Sequence, residues 1–101
     1  MTFSGAKVRP AVCLSELIGP YDHVILAFIT SCIPAGLLKT DLVIDSKDPD
    51  FASTGLRVSS TLQLHRLMTA TKSILLRELG SLALAMQVQA QTKLRILFDL
   101  D

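Results

Sequence analysis

The longest uninterrupted apolar run in this chain of 101 residues spans six positions, Val24 to Ile29. A helix needs about 20 apolar residues to cross a bilayer, so this run does not predict a membrane span. Its residues are largely β-branched, aliphatic or aromatic, and Gly19-Pro20 and Ile33-Pro34 bound it on either side. That pattern predicts a central strand over His23–Ser31, buried on both faces.

Further strand-like segments lie on either side of this run, and the turn residues between them are Gly, Pro and Asp. They are Pro10–Ser15, Asp41–Asp45, Val58–Leu64 and Arg66–Thr71. Residues 1–8 are small and polar, with no periodicity, and predict a loop.

The period changes after Thr71. Ser73 is a suitable N-cap for a short helix over Ile74–Leu79, which Gly80 would end. Ser81 would cap a second helix on which apolar residues recur every fourth position, as on the buried face of a helix. These residues are Leu82, Met86, Ala90, Leu94 and Phe98.

Strands that precede helices favour an α+β chain, mainly β, over alternating βαβ units. The expected architecture is a small antiparallel sheet or barrel with a helix packed at one end, in one domain over residues 1–101. Half of the residues are apolar and 19% are charged, which excludes a disordered chain.

The sequence lacks the motifs of several classes of enzyme. The chain has no phosphate-binding glycine loop, no H-E-x-x-H and no G-x-S-x-G. Cys13 and Cys32 both lie in apolar segments and predict buried thiols of a cytosolic protein, not a zinc site. We therefore expect no metal and no cofactor.

A few residues could support cleavage of RNA by its own 2′-OH. Arg9 could grip phosphate in two places, the hydroxyls of Thr30-Ser31 could donate to phosphate oxygens, and the imidazole of His65 could transfer a proton. Each has an ordinary structural alternative: a surface cation, a turn former and a polar strand residue. Residues 53–98 carry six Lys or Arg against one Glu, a basic balance that could attract a polyanion.

Four segments together resemble the MazF/PemK-like toxins, the endoribonuclease halves of bacterial toxin–antitoxin pairs. Residues 7–15, KVRPAVCLS, resemble the family's [KR]-x-R-P-[AV]-x-V-x-S opening, and residues 24–31, VILAFITS, resemble its V-x-x-A-x-I-T-S strand. Residues 55–69 resemble its G-L-x-x-x-S-x-[VI]-R-x-[DH]-x-[LI]-x-T block, and residues 79–82 its L-G-x-L. The resemblance covers residues 3–98.

The resemblance implies an SH3-like barrel with a C-terminal helix. It implies a cytoplasmic homodimer that cleaves single-stranded RNA, such as mRNA, without metal, leaving 2′,3′-cyclic phosphate and 5′-OH ends. A cognate antitoxin would cover the RNA surface, and operator DNA would be bound only through that antitoxin. No membrane association is implied.

Carried over by position, the resemblance implies that Arg9 stabilises the charge on the reacting phosphate and that Thr30 hydrogen-bonds it. His65 is the expected proton-transfer group. The expected substrate-binding residues are Lys7, Ser31, Ser60 and Gln63.

The chain departs from the family pattern in two places. Members usually begin with a further strand, whereas Met1–Gly5 falls in the loop after it, so we expect the first strand to be absent. A dimer partner, an antitoxin segment or a rearranged N-terminus would then cover the barrel edge. Gln63 stands where many members have an arginine, which weakens the expected grip on phosphate.

Other functions remain open at this point. A catalytically inactive protein of the same fold could act in antitoxin and DNA binding. A gyrase-inhibitor-type toxin shares the fold but would not need the Arg-Pro and Thr-Ser pairs. An unrelated small β domain is the remaining alternative.

Overall fold

The computed structural model describes the backbone of residues 2–6 and 9–100 and the side chains of residues 9–75 and 78–100. Within these residues, six strands precede one α-helix, and the predicted α+β, mainly β class is confirmed. The elements are β1 Thr2–Ala6, β2 Arg9–Cys13, β3 His23–Thr30, β4 Asp41–Ile44, β5 Ser60–Thr71, β6 Leu75–Ser81 and α1 Leu84–Leu97. Short 3-10 helices cover Phe51–Thr54 and Lys72–Ile74.

The strands form one sheet in the order β4-β5-β3-β2-β1-β6, and each neighbouring pair is antiparallel. The strand predicted over His23–Ser31 is β3, which lies between β2 and β5 in the interior of the sheet. Leu26 and Ala27 in its middle are both fully buried, and on either side of them buried and partly buried residues alternate.

The main core lies between one face of the sheet and α1. Leu62 and Leu64 of β5 are fully buried there against Met86 and Ala90 of the helix. Burial of a leucine side chain contributes about 1.5–3 kcal/mol, so this interface is a principal source of stability.

The predicted helical stripe is confirmed over most of its length. Leu82, Met86 and Ala90 are buried, and Leu94 packs against the same core. Phe98 is 56% exposed, contrary to the prediction, because α1 ends at Leu97.

The first strand is present, and the prediction of a loop over residues 1–8 is wrong for Thr2–Ala6. β1 pairs with β2 from Thr2↔Cys13 to Ala6↔Arg9, and with β6 on its other side. Backbone pairing, which needs no alternation of apolar side chains, makes this small polar segment a strand. β1 thus occupies the sheet position that would otherwise leave an unpaired edge.

The helix predicted over Ile74–Leu79 is also wrong, since these residues belong mostly to β6. An isolated helix of six residues is marginal in water. Pairing with β1 supplies the backbone hydrogen bonds instead, with two irregularities in register. Ser81 ends this strand, so it does not cap α1, whose N-cap is Ala83.

The two strands predicted over 58–64 and 66–71 form one long strand, β5. Its pairing with β3 jumps from Phe28↔Gln63 to Ala27↔Leu67, so one step on β3 corresponds to four residues on β5. Residues 64–66 therefore form a bulge in the ladder. This irregularity lets Arg66 project to the face of Gln63.

Two glycines allow the end of the sheet to close against the 3-10 helix that follows β4. A Cβ on Gly80 would collide with the Ser53 carbonyl, and a Cβ on Gly55 would collide with the Leu79 carbonyl. Gly55 also has φ +74°, which favours glycine. The Ser53 hydroxyl donates to the Ser81 carbonyl at 3.3 Å across the same contact.

The cysteine prediction is wrong for Cys32, which is exposed, while Cys13 is partly buried. Cys32 lies in the bend just after β3, so it is outside the sheet although it follows the apolar run of that strand.

Candidate active site

Polar residues gather on the face of the sheet that points away from α1. Side chains alternate along β3, and Ala27 and Ile29 pack into the core with the helix. Phe28 and Thr30 therefore point to the opposite face, where Phe28 packs against a second, smaller core.

Two cross-strand rows define the site on this face. In one row Phe28 of β3 pairs with Gln63 of β5, and Gln63 pairs with Asp41 of β4. In the other row Thr30 pairs with Thr61. The two rows are two residues apart along each strand, or about 7 Å.

The position of Arg9 relative to Thr30 follows from extending the register of β2. The β2–β3 ladder ends at Ala11↔Phe28, and its register continued by two residues would put Arg9 opposite Thr30. Residues directly opposite in an antiparallel pair have Cβ atoms about 5 Å apart. The Arg9 side chain is exposed, so a solvent-borne anion can reach it.

Thr30 ends β3 with its hydroxyl held by the following bend. Its Oγ1 accepts a hydrogen bond from the Cys32 backbone N–H at 3.2 Å. A hydroxyl has one hydrogen to donate as well as two lone pairs, and this bond uses only a lone pair. The bond orients the oxygen and leaves its hydrogen for an acceptor outside the chain.

His65 lies on the same face, because it follows Gln63 by two residues and Leu64 between them packs into the core. Its Nδ1 lies 3.8 Å from Oδ1 of Asp41, the residue that pairs with Gln63. The His65 side chain is 37% exposed, so its imidazole borders both the carboxylate and solvent.

Arg66 reaches the same face, although it follows His65 directly and a regular strand would send it to the other side. Its Nη1 donates to the Gln63 Oε1 at 3.2 Å, and its guanidinium carbon lies 5.6 Å from the centre of the Phe28 ring. Arg66 thus supplies a positive charge beside Gln63. The family resemblance had predicted that a positive charge is missing at Gln63 itself.

Asp41 is the most deeply buried charged residue of the site, with a side-chain exposure of 2%. Its Oδ2 accepts a hydrogen bond from the Leu38 backbone N–H at 2.9 Å. Its Oδ1 and the Thr61 Oγ1 are buried and have no hydrogen-bond partner among the described residues.

The remaining sequence-predicted residues are not all in this cluster. Ser31 is exposed and directly follows Thr30. Ser60 is 3% exposed, donates to the Val58 carbonyl at 2.9 Å and shares the face of Leu62. Its role in substrate binding stays a prediction. Lys7 lies outside the described residues.

The cluster combines a guanidinium, an oriented hydroxyl and an imidazole on one open sheet face. A guanidinium and a hydroxyl can both donate hydrogen bonds to a phosphate that gains negative charge. An imidazole can take a proton from a nearby hydroxyl. In the part of the chain that the structure describes, no three His, Cys, Asp or Glu side chains are grouped as metal ligands.

Comparison with protein families identifies the family to which the chain belongs. A family model described as PemK-like, MazF-like toxin of type II toxin–antitoxin system matches residues 4–98. The chain belongs to this toxin family. A search of curated protein sequences gave no match for the toxin.

Solved structures share the toxin's fold. Mycobacterium tuberculosis toxin MazF-mt6 superposes with a TM-score of 0.80 at 24% identity, covering 100% of this chain and 99% of the other. An endoribonuclease from a mycobacterial species superposes at 0.74 and 15% identity, covering 98% and 88%. A mycobacterial endoribonuclease in complex with its cognate antitoxin superposes at 0.70 and 15% identity, covering 99% and 91%.

These superpositions show that the toxin has the same fold as the three proteins. In each of the three structures the match covers at least 88% of the chain, so the likeness extends over nearly the whole length of both proteins. Across the toxin's described residues, no helix is both long and apolar enough to span a membrane.

Asp41, Arg66 and Phe28 were missed as site residues. Arg66 and His65 are adjacent in sequence, and strand alternation separates adjacent residues unless a bulge intervenes. Asp41 is the first residue of a predicted strand, and nothing in the sequence distinguishes it from an acidic residue that faces solvent. The alternation of Asp41-Leu42-Val43-Ile44, with Leu42 in the core, would have placed the carboxylate on the face of the site.

Proposed function

We propose that this toxin is a metal-independent endoribonuclease that cleaves single-stranded RNA and leaves 2′,3′-cyclic phosphate and 5′-OH ends. The observation that carries the proposal is the meeting of Arg9, Thr30 and His65 on one sheet face. These residues come from three different strands and are far apart in sequence. The endoribonuclease names of two proteins with the same fold also support it.

In the proposed reaction, His65 takes the proton from the 2′-OH of the nucleotide 5′ to the cut. The 2′ oxygen then forms a bond to the adjacent phosphorus, and the bond from phosphorus to the 5′ oxygen breaks. The leaving 5′ oxygen takes up a proton from solvent, and His65 releases the proton it took to solvent. This gives a 2′,3′-cyclic phosphate on one fragment and a 5′-OH on the other. No water is consumed and no metal is required.

Arg9 and Thr30 act on the phosphate while its charge increases. The Arg9 guanidinium remains charged at any physiological pH and can donate two hydrogen bonds to phosphate oxygens. The Thr30 hydroxyl donates one more from an oxygen already fixed by the Cys32 N–H. Donors of this kind each contribute about 10²–10³ in rate.

RNA would bind across the same face. Gln63 uses its Oε1 to hold Arg66, so the two amide hydrogens remain for a base or a phosphate. Ser31 and Lys7 are proposed as further contacts beside Thr30 and Arg9. The chain would act as one toxin domain over residues 1–101, in a cytoplasmic homodimer.

A cognate antitoxin is the proposed protein partner, and operator DNA would be reached only through it. Support comes from the family, which is defined as the toxins of type II toxin–antitoxin systems. It also comes from a mycobacterial endoribonuclease of the same fold that is described in complex with its antitoxin.

The proposal is tested by incubating the purified toxin with a long single-stranded RNA in EDTA. We expect discrete cuts whose 5′ ends accept phosphate from a kinase and whose 3′ ends need a cyclic-phosphate-opening enzyme before ligation. Arg9→Ala should abolish the cuts, and Arg57→Ala, at an exposed arginine before β5, should not. Cuts that persist at the parent rate in Arg9→Ala would contradict the proposed role.

The inactive alternative is favoured by the two departures from the family pattern, the expected lack of a first strand and the presence of Gln63. Residues Thr2–Ala6 pair with both β2 and β6, and this supports the enzyme over the inactive protein. A folded toxin that cuts no RNA in EDTA or in magnesium would restore the inactive and the gyrase-inhibitor alternatives.

A further inference from the structure

A buried carboxylate that has a partner for only one of its oxygens needs an explanation. The Asp41 side chain is 2% exposed, and its Oδ2 is satisfied by the Leu38 backbone N–H. Its Oδ1 has no hydrogen-bond partner among the described residues. Buried polar atoms are nearly always hydrogen-bonded, because leaving one unpaired is unfavourable relative to its hydration in water.

A purely structural role does not account for this second oxygen. The segment 38–41 closes with the Asp41 N–H donating to the Leu38 carbonyl at 3.0 Å and the Leu38 N–H donating to Asp41 Oδ2. Those two bonds complete the turn. Oδ1 is directed instead towards the imidazole of His65, at 3.8 Å from its Nδ1.

The distance of 3.8 Å between Asp41 Oδ1 and His65 Nδ1 is longer than a hydrogen bond. The two groups are close but not hydrogen-bonded in this structure. Hydrogen bonds in active sites without substrate are often long and tighten only when substrate binds. His65 lies in the bulge of β5, where the ladder does not fix the backbone, and a small movement of its side chain closes the gap. The carboxylate is the rigid partner, because it is buried and held by the turn.

We propose that Asp41 is a positioning residue that holds His65 with its proton on Nδ1, so that the unprotonated Nε2 faces the RNA. The inference rests on the proposed ribonuclease function, in which His65 takes the 2′-OH proton. A carboxylate can only accept from a neutral imidazole, so it selects the Nδ1–H tautomer. Asp41 also offsets the positive charge that His65 acquires during the reaction.

The tautomer of His65 is measured on the unchanged toxin by long-range ¹H–¹⁵N correlation at a pH where the imidazoles are neutral. We expect His65 to carry its proton on Nδ1, whereas free imidazole side chains favour Nε2–H. His23, whose ring lies 6.1 Å from that of Tyr21, serves as an internal reference in the same spectrum. A proton on Nε2 of His65 would overturn the proposal without any variant being made.

Asp41→Asn tests the same contact. The Asn carbonyl can still accept from the Leu38 N–H, and its NH₂ group then faces Nδ1 as a donor, so we expect the His65 proton to move to Nε2. Asp45→Asn is the matched control, because the Asp45 carboxylate is exposed and accepts a hydrogen bond from the nearby Lys47 N–H. The control should leave the His65 tautomer unchanged.

Kinetics separates positioning from a structural effect. We expect Asp41→Asn to lower kcat by about 10²-fold, the low end of a proton-transfer contribution, with KM nearly unchanged. His65→Gln should lower kcat at least as much. The double variant should be no slower than His65→Gln, since residues that act as a unit are not additive. A further loss of about 10²-fold in the double variant would show that Asp41 acts independently of His65 and would overturn the inference.

The two proposals fail in different ways. An unchanged toxin that cuts no RNA overturns the ribonuclease, and with it the catalytic purpose of the pair. A toxin that cuts RNA through Arg9 and Thr30, with the His65 proton on Nε2, keeps the ribonuclease and overturns the role of Asp41. If Asp41→Asn does not fold, the tautomer in the unchanged toxin decides the inference.

Discussion

Replacing Thr30 by valine removes the hydroxyl that we propose donates to the phosphate, with almost no change of shape. The loss of an oxyanion-type donor lowers kcat by about 10²–10³, equivalent to about 2.7–4 kcal/mol of transition-state stabilisation. The same change removes one hydrogen bond, from the Cys32 N–H at 3.2 Å. That bond lies at an exposed bend, so the net loss in folding stability should be only about 1 kcal/mol.

The assay is single-turnover cleavage of a labelled single-stranded RNA in EDTA, with urea unfolding measured on the same preparations. Thr30→Ser keeps the hydroxyl and should retain most of the activity. Thr69→Ala, at an exposed threonine of β5, is the matched control for loss of a strand hydroxyl and should cleave at the parent rate. The reasoning is refuted if Thr30→Val cleaves within about threefold of the parent, or if Thr30→Ser is as slow as Thr30→Val.

Three further predictions concern the core, the sheet closure and the RNA surface. Leu62→Ala should lower the unfolding free energy by about 2–5 kcal/mol in urea, because Leu62 is fully buried against α1; a loss below 1 kcal/mol would contradict that packing. Gly80→Ala should lower it by about 1–3 kcal/mol, because the new Cβ meets the Ser53 carbonyl, while Gly36→Ala, with nothing within 4 Å, should be nearly neutral; equal effects would refute the close contact. Arg66→Ala should weaken RNA binding and flatten the dependence of log Kd on log salt by about 0.7, and an unchanged slope would exclude a phosphate contact.

Much of the fold follows from local sequence patterns, and the failures share a cause. The central strand and the helical stripe of Met86 and Ala90 could be predicted, since each buries a continuous apolar surface. β1 and β6 could not, because neither has a strand pattern of its own. Thr2–Ala6 and Leu75–Ser81 are strands through their pairing with each other and, for β1, with β2. The pairing of β1 with β6 is non-local, and the β1–β2 hairpin rests on backbone hydrogen bonds, so neither pairing leaves a pattern of apolar residues in the segment alone.

The site was predictable in part for a similar reason. Arg9, Thr30 and His65 came from motif positions, and strand alternation puts all three on the face that points away from α1. Their role in a site stays a prediction. Arg66 could not be found by alternation, because the bulge at residues 64–66 puts it beside Gln63. The register shift is a property of the β3–β5 pair and is not visible in β5 by itself.

The central claim is that Arg9 and the oriented Thr30 hydroxyl cleave RNA without metal. The most direct measurement is the mapping of both ends of the fragments that the purified toxin makes from a long single-stranded RNA in EDTA. We predict discrete sites with 2′,3′-cyclic phosphate and 5′-OH ends, lost in Arg9→Ala and blocked by a 2′-deoxy substitution at the cut. Cleavage that survives the 2′-deoxy substitution, or no cleavage by the folded toxin, would contradict the account.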